Sequence, residues 1–135
     1  MIYLDSAAVV KLIRQEALSS ELVAWLNQRH DETLVSSAVV EVEVPRALRR
    51  SAPQSLIGVP TALARLYKIE IDPTIRATAG AYTDALLRSL DAIHLATAQL
   101  LAVESEGALS GFVTYDKRLL AAASAAGMPT ASPGA

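Results

Sequence analysis

The chain contains no cysteine. That excludes a disulfide scaffold, thiolate catalysis and any zinc or iron–sulfur site built on sulfur. Histidine is nearly as scarce, with His30 and His94 the only two. Two such residues, far apart in the chain, cannot make a His-rich zinc site unaided, so a bound metal would be held by oxygen. Aromatics make up only 4%, and the apolar content is mostly Ala, Leu and Val. There is no excess of positive charge: the net charge is −2 and the pI about 5.6. Nucleic-acid binding by bulk charge is therefore disfavoured, while a local basic patch remains open. No uncharged run supplies the ~20 apolar residues of a membrane span. The opening Met-Ile-Tyr-Leu-Asp has neither the basic region nor the apolar stretch of a secretory leader, so a cytoplasmic location is expected.

What is present fits one domain spanning residues 1–135. A chain of 135 residues buries enough surface to need no covalent staple. Hydrophobic residues reach 52% and the mean hydropathy +0.32. Either the helices are buried on most faces, or a partner covers apolar surface.

Strands alternate with helices along the chain. Met1–Leu4 is a short apolar run read as a strand, and Ser6 can cap a helix to Arg14. A helix over 19–29, a strand over 33–36 and a helix over 38–50 capped by Ser37 follow, with a kink expected at Pro45. Residues 51–60 read as a loop, 61–67 as a helix and 69–71 as a strand. Asp72-Pro73 opens a helix, another spans 89–104, and a strand covers 112–114. Asp116 caps a helix over 117–126, and a marginal strand lies near 128–131. Residues 132–135 read as a frayed tail. The alternation predicts an α/β fold with a mainly parallel sheet.

Acids fall where such a sheet builds its sites, beyond the carboxyl ends of the strands. Asp5 directly follows the first strand, and Asp116 follows the strand over 112–114. Asp91 lies in the first turn of an apolar helix, and Glu41 and Glu43 lie on the helix after the second strand. Glu41 and Glu43 point to nearly opposite faces, so only one can join a cluster, and periodicity alone does not pick it. An Asp at a helix start can simply be a cap. Asp5 is harder to explain that way, because a carboxylate ending a buried strand needs a partner. Converging carboxylates repel unless a cation or proton lies between them, so a convergent set implies Mg²⁺ or Mn²⁺.

Four segments carry a family resemblance. Residues 1–12, Met-Ile-Tyr-Leu-Asp-Ser-Ala-Ala-Val-Val-Lys-Leu, resemble the opening of PIN-domain proteins, especially VapC-type toxins of bacterial toxin–antitoxin modules. Ser-Ser-Ala-Val-Val-Glu-Val-Glu-Val-Pro-Arg-Ala-Leu-Arg-Arg (36–50), Leu-Arg-Ser-Leu-Asp-Ala-Ile-His-Leu-Ala-Thr-Ala (87–98) and Val-Thr-Tyr-Asp-Lys-Arg-Leu (113–119) resemble the later motifs, in order. The resemblance implies a PIN-like three-layer fold and a Mg²⁺- or Mn²⁺-dependent endoribonuclease. It places Asp5, Glu43, Asp91 and Asp116 at the catalytic and metal-binding positions, and so selects Glu43 over Glu41. It matches Ser6 and Thr114 to supporting hydroxyls that hold a carboxylate or water, although a hydroxyl bonded to backbone is the simpler reading for both. Lys117 and Arg118 stand where many relatives carry a further acid. One well-held ion, with a second arriving with the RNA phosphate, is the expectation that follows.

The resemblance also implies an RNA substrate, a cognate VapB-type antitoxin, inhibition of translation and growth, and a homodimer. Residues 46–90 carry seven basic and three acidic side chains, and Arg46, Arg49 and Arg50 fall at helical spacing as an RNA-gripping patch. His94, three residues after Asp91, is read as a core or carboxylate-paired histidine. Trp25 and Tyr67 are read as core. Two other readings share acids at strand ends. A receiver domain needs an acidic pair after its first strand, and an acyl-phosphate phosphatase needs Asp-x-Asp; Leu4-Asp5-Ser6 offers neither. A catalytically inactive PIN-fold module that binds RNA or a partner is the remaining alternative.

Overall fold

The computed structural model describes residues 1–135. In chain order the elements are β1 (Ile2–Leu4), α1 (Ser6–Ile13), α2 (Ser19–Asn27), β2 (Leu34–Ser37), α3 (Val40–Ser51), a 3-10 helix (Pro53–Gly58), α4 (Val59–Ala64), β3 (Tyr67–Ile69), α5 (Pro73–Ala81), α6 (Ser89–Glu104), β4 (Gly111–Val113), α7 (Lys117–Ala125) and β5 (Thr130–Ala131). All strand pairs are parallel, in the order β3-β2-β1-β4-β5.

The central strands are buried on both faces, which is why they read as continuous apolar runs. Side chains of a strand alternate between faces, and β1 shows the consequence residue by residue. Ile2 and Leu4 join Val113 in a core with Val9 of α1, Leu22 of α2 and Val40, Val44 and Leu48 of α3. Tyr3 points the other way, into a core with Val35, Phe112, Leu95 and Ala98 of α6, and Leu119 and Ala123 of α7. Tyr3 and Phe112 stack there with ring centroids 5.3 Å apart. Helices thus cover both faces of one sheet in three layers, as expected. No helix is long and apolar enough to cross a membrane.

The strand order carries functional meaning. The chain lays down β1, adds β2 and β3 on one side, then returns to place β4 and β5 on the other. The carboxyl ends of β1 and β4 therefore flank the point where the order reverses. Open α/β sheets bind their ligands in that crevice, because the crossovers diverge there.

Five local expectations need correction, the first being that Asp5, not Ser6, caps α1. Residues 51–60 are not a loop: Pro53 and Pro60 sit in the first turns of the 3-10 helix and of α4, where their missing amides cost nothing. The expected helix over 61–67 ends at Ala64, and the strand begins at Tyr67 rather than 69 because Tyr67 pairs with Val35. Ser37 ends β2 instead of capping a helix, and its Oγ accepts from the Val39 amide at 3.2 Å; α3 then runs unbroken through Pro45. Of the expected frayed tail, Ser132 and Pro133 are docked. Pro133 is buried, its carbonyl accepts from the Tyr115 hydroxyl at 2.9 Å, and the Ser132 hydroxyl donates to the Thr114 carbonyl.

Deleting residues 132–135 removes both hydrogen bonds. The deletion is expected to lower the unfolding free energy by about 1–2 kcal/mol, read from the urea midpoint at constant slope. An unchanged midpoint would show that the tail contributes nothing net.

Candidate active site at the carboxyl edge of the sheet

Asp5 stands at the end of β1 and caps α1, its Oδ1 accepting from the Ala8 amide at 2.9 Å. It is 4% exposed. The Thr114 hydroxyl, at the end of neighbouring β4, donates to Asp5 Oδ2 at 2.6 Å and accepts from the Asp116 amide at 3.1 Å. Asp116 in turn caps α7, its Oδ1 accepting from the Leu119 amide at 2.9 Å. Capping is therefore true of Asp5 and Asp116, and it leaves Asp116 Oδ2 turned outward. Thr114 is bonded to backbone and also holds a carboxylate, so both readings of this hydroxyl are true. Burial pushes the Asp5 carboxyl above its ordinary range; the Thr114 hydrogen bond opposes that shift without cancelling it, and the Asp91 charge adds to it.

For Ser6 the backbone-bonded reading does need correction, since its hydroxyl has only side-chain partners. Its hydroxyl donates to Glu43 Oε1 at 2.7 Å, and His94 Nε2 lies 2.9 Å from the same oxygen and 3.0 Å from Ser6 Oγ. His94 is both core and carboxylate-paired, 1% exposed, with Nδ1 2.8 Å from the Tyr3 hydroxyl. Burial pushes the Tyr3 pKa well up, so the phenol keeps its proton and can donate to Nδ1. A carboxylate facing Nε2 requires a proton there. The ring is thereby oriented from the core and donates outward to Glu43. Burial alone would raise the Glu43 pKa; the bonds from His94 and Ser6 outweigh it and hold the carboxyl below its ordinary value. Glu41, on the opposite side of α3, is exposed.

Asp91 lies in the first turn of α6 and has no side-chain hydrogen bond to the protein. Its partner is Arg88, whose Nε is 3.6 Å from Asp91 Oδ2 and whose Nη2 is 3.6 Å from Asp116 Oδ2. Burial raises the Asp91 pKa, as does the Asp116 charge and, more weakly, that of Glu43; Arg88 and His94 oppose this. Asp91 thus feels all three of the other acids. The N-termini of α1, α6 and α7 converge on the same crevice, and their positive ends favour the carboxylates. No three His, Asp or Glu side chains close into a ready-made ion cage. The donors are all oxygen, and Asp91 and Asp116 Oδ2 are engaged only by Arg88. Such a set suits Mg²⁺, which takes few carboxylates and keeps several waters.

Beside these acids a groove of about 390 Å³ runs between α1, α3 and the start of α6. Ala7, Val10, Val42, Ala47 and Leu90 give it apolar walls, and Ser6, Glu43, Arg46 and Arg50 give it polar ones. Arg46 and Arg50 share the Glu43 face of α3, and Arg49 does not line the groove. Helical spacing presents the three arginines as one patch, of which the groove takes two; Arg88 is one of the seven basic side chains of residues 46–90. The signal for Arg88 was its spacing of three from Asp91 on one helix. The part of Tyr3 in holding His94 had no sequence signal. Trp25 packs against the core with Arg29 over its ring, whereas Tyr67 on edge strand β3 is 68% exposed, contrary to expectation.

Residues 2–125 match the PIN domain family. The chain is 50% identical over 134 residues to Ribonuclease VapC35 of Mycobacterium tuberculosis, covering 99% of this chain and 98% of that one. It is 42% identical over 132 residues to Ribonuclease VapC46 of the same species, covering 98% and 97%. Among solved structures, the crystal structure of FitAcB from Neisseria gonorrhoeae superposes with a TM-score of 0.69, covering 98% of each chain at 19% identity, a likeness of fold.

The raised Asp91 pKa has a consequence for stability. Holding this carboxylate ionised costs folding free energy above its folded pKa, and the cost disappears as the pH falls below the unfolded value. Asp91→Asn is expected to raise the metal-free melting temperature at pH 7 by about 1–3 °C, with the difference closing toward about pH 3. A lower melting temperature at pH 7 would mean that the carboxylate serves α6 more than it suffers from its neighbours.

Proposed function

The chain belongs to the PIN-domain family, as a VapC-type ribonuclease, and on that premise we propose that it is a Mg²⁺- or Mn²⁺-dependent endoribonuclease toxin. The observation that supports the metal dependence is that Asp91 and Asp116 share the Arg88 guanidinium at 3.6 Å each, with Asp5 and Glu43 held by Thr114 and Ser6 at the same edge of the sheet. These four side chains would hold the ion. A divalent ion there would supply Lewis-acid polarisation of a phosphoryl oxygen and would ease deprotonation of water for hydrolysis of the RNA phosphodiester. The protein's own groups position the rest. Thr114 fixes Asp5, and Ser6 and His94 fix Glu43, so neither carboxylate has to be reoriented when the substrate arrives. Arg46 and Arg50 grip phosphates along the groove.

The proposal extends to regulation and assembly. An acidic crevice on a protein of net charge −2 is a natural target for an Arg or Lys of a VapB-type antitoxin, which would displace the ion and block the groove. The exposed Val42 and Leu90 beside Glu43 offer such a partner apolar surface to bury. Uncontrolled cleavage of RNA would halt translation and growth. Assembly as a homodimer and a cytoplasmic location complete the reading.

Cleavage of a short RNA with and without Mg²⁺ tests the reading. Asp5→Asn, Glu43→Gln, Asp91→Asn and Asp116→Asn should each lower the rate by about 100-fold or more. A wild-type protein that binds RNA but does not cleave it with either ion would instead support the non-catalytic binding module.

The three arginines should separate. Arg46→Ala and Arg50→Ala are expected to raise KM and to flatten the log–log salt slope by about 0.7 each. Arg49→Ala should change neither, and equal effects at all three positions would refute the groove as the RNA path.

A further inference from the structure

We propose that Arg88 competes with the metal in the free protein and becomes a phosphate contact once RNA is bound. The inference rests on the reading of the acids as a metal site. Arg88 occupies the N-cap of α6 and makes no capping hydrogen bond. Ser, Thr, Asp and Asn are favoured at that position, because their oxygens accept from the free amides. A cation there also faces the positive end of the helix dipole. Neither capping nor the dipole therefore accounts for an arginine at 88, and its role must be sought in what the side chain reaches.

It reaches two carboxylates on different elements. Its Nε lies 3.6 Å from Asp91 Oδ2 and its Nη2 lies 3.6 Å from Asp116 Oδ2. Lys117 and Arg118, next to Asp116 in the chain, pair with neither acid. Arg46 and Arg50 stand across the crevice on the Glu43 side. Arg88 is thus the cation that offsets the repulsion between Asp91 and Asp116 in the free protein.

The contact is built to be exchanged. The Arg88 side chain is 77% exposed, its nitrogen–oxygen distances are long, and exposed ion pairs of this kind are weak. A divalent ion drawing on Asp91 and Asp116 carries twice the charge and displaces the guanidinium. The freed guanidinium stays anchored at the mouth of the crevice, where the RNA phosphate is the strongest acceptor available to its planar fork. One residue then opposes the first ligand and favours the second.

Opposite signs for the two ligands separate this role from a structural one, which would weaken both. Mn²⁺ binding to the full chain is measured by titration calorimetry for wild type, Arg88→Ala, Arg88→Gln and Arg88→Lys, together with KM and kcat on a short RNA. Arg88→Ala and Arg88→Gln should bind Mn²⁺ roughly three- to tenfold tighter, while KM for RNA rises and kcat changes less. Arg88→Lys should keep the wild-type Mn²⁺ affinity and only part of the RNA affinity, because a lysine lacks the fork. Unchanged or weaker Mn²⁺ binding in both neutral variants would overturn the competition. Tighter Mn²⁺ with an unchanged KM would overturn the phosphate contact. Absence of Mn²⁺ binding in wild type and variants alike would instead overturn the metal-site reading beneath it, and this inference with it.

Discussion

Carboxylates gathered in a half-buried crevice repel one another. Like charges held away from bulk water oppose each other more strongly than they would in it. Much of the local structure at the carboxyl edge can be understood as restraint against that repulsion. Asp5 is tied by the Ala8 amide and the Thr114 hydroxyl, Asp116 by the Leu119 amide, and Glu43 by Ser6 and His94. Three helices aim their positive ends at the same point. Asp91 alone lacks a hydrogen bond from the protein and depends on Arg88. The strand order supplies the location, because β1 and β4 are neighbours in the sheet although more than a hundred residues separate them in the chain.

The legible parts of this arrangement are those encoded locally. The bounds of α6 follow from its apolar run, and the caps at Asp72 and Asp116 follow from short polar residues preceding helical stretches. Both caps close as expected, Asp72 onto the Ile75 amide. The stretch from 51 to 69 is ambiguous locally because proline suits both loops and first helical turns, and here Pro53 and Pro60 start helical turns. The local sequence at Tyr67 continues a helical pattern, and its reason for extending, the pairing with Val35, lies elsewhere in the chain.

The candidate site divides in the same way. Positions after strands are visible in a sequence, so Asp5 and Asp116 were found from pattern, whereas Glu43 needed the family likeness to separate it from Glu41. The carboxylate partners of Ser6 and Thr114 are set by packing across 37 and 109 residues of chain; local preference finds only the bond between Thr114 and the Asp116 amide. The distinction between Arg49 and the pair Arg46 and Arg50 was available from helical geometry, since 43, 46, 47 and 50 lie on one face.

The bond from Tyr3 to His94 carries the site inward. Tyr3 is 0% exposed, lies in the middle of the sheet and stacks on Phe112, so by burial it belongs to the core. Yet its hydroxyl orients the ring that orients Glu43. A genetic selection for inactive alleles would therefore return two kinds of change at this one codon. Replacement by Phe would keep the packing and release the imidazole, yielding a stably folded protein with altered activity, while replacement by a small residue would yield an unstable one. Position 3 would be scored as structural by one assay and as functional by the other, and both scores would be correct.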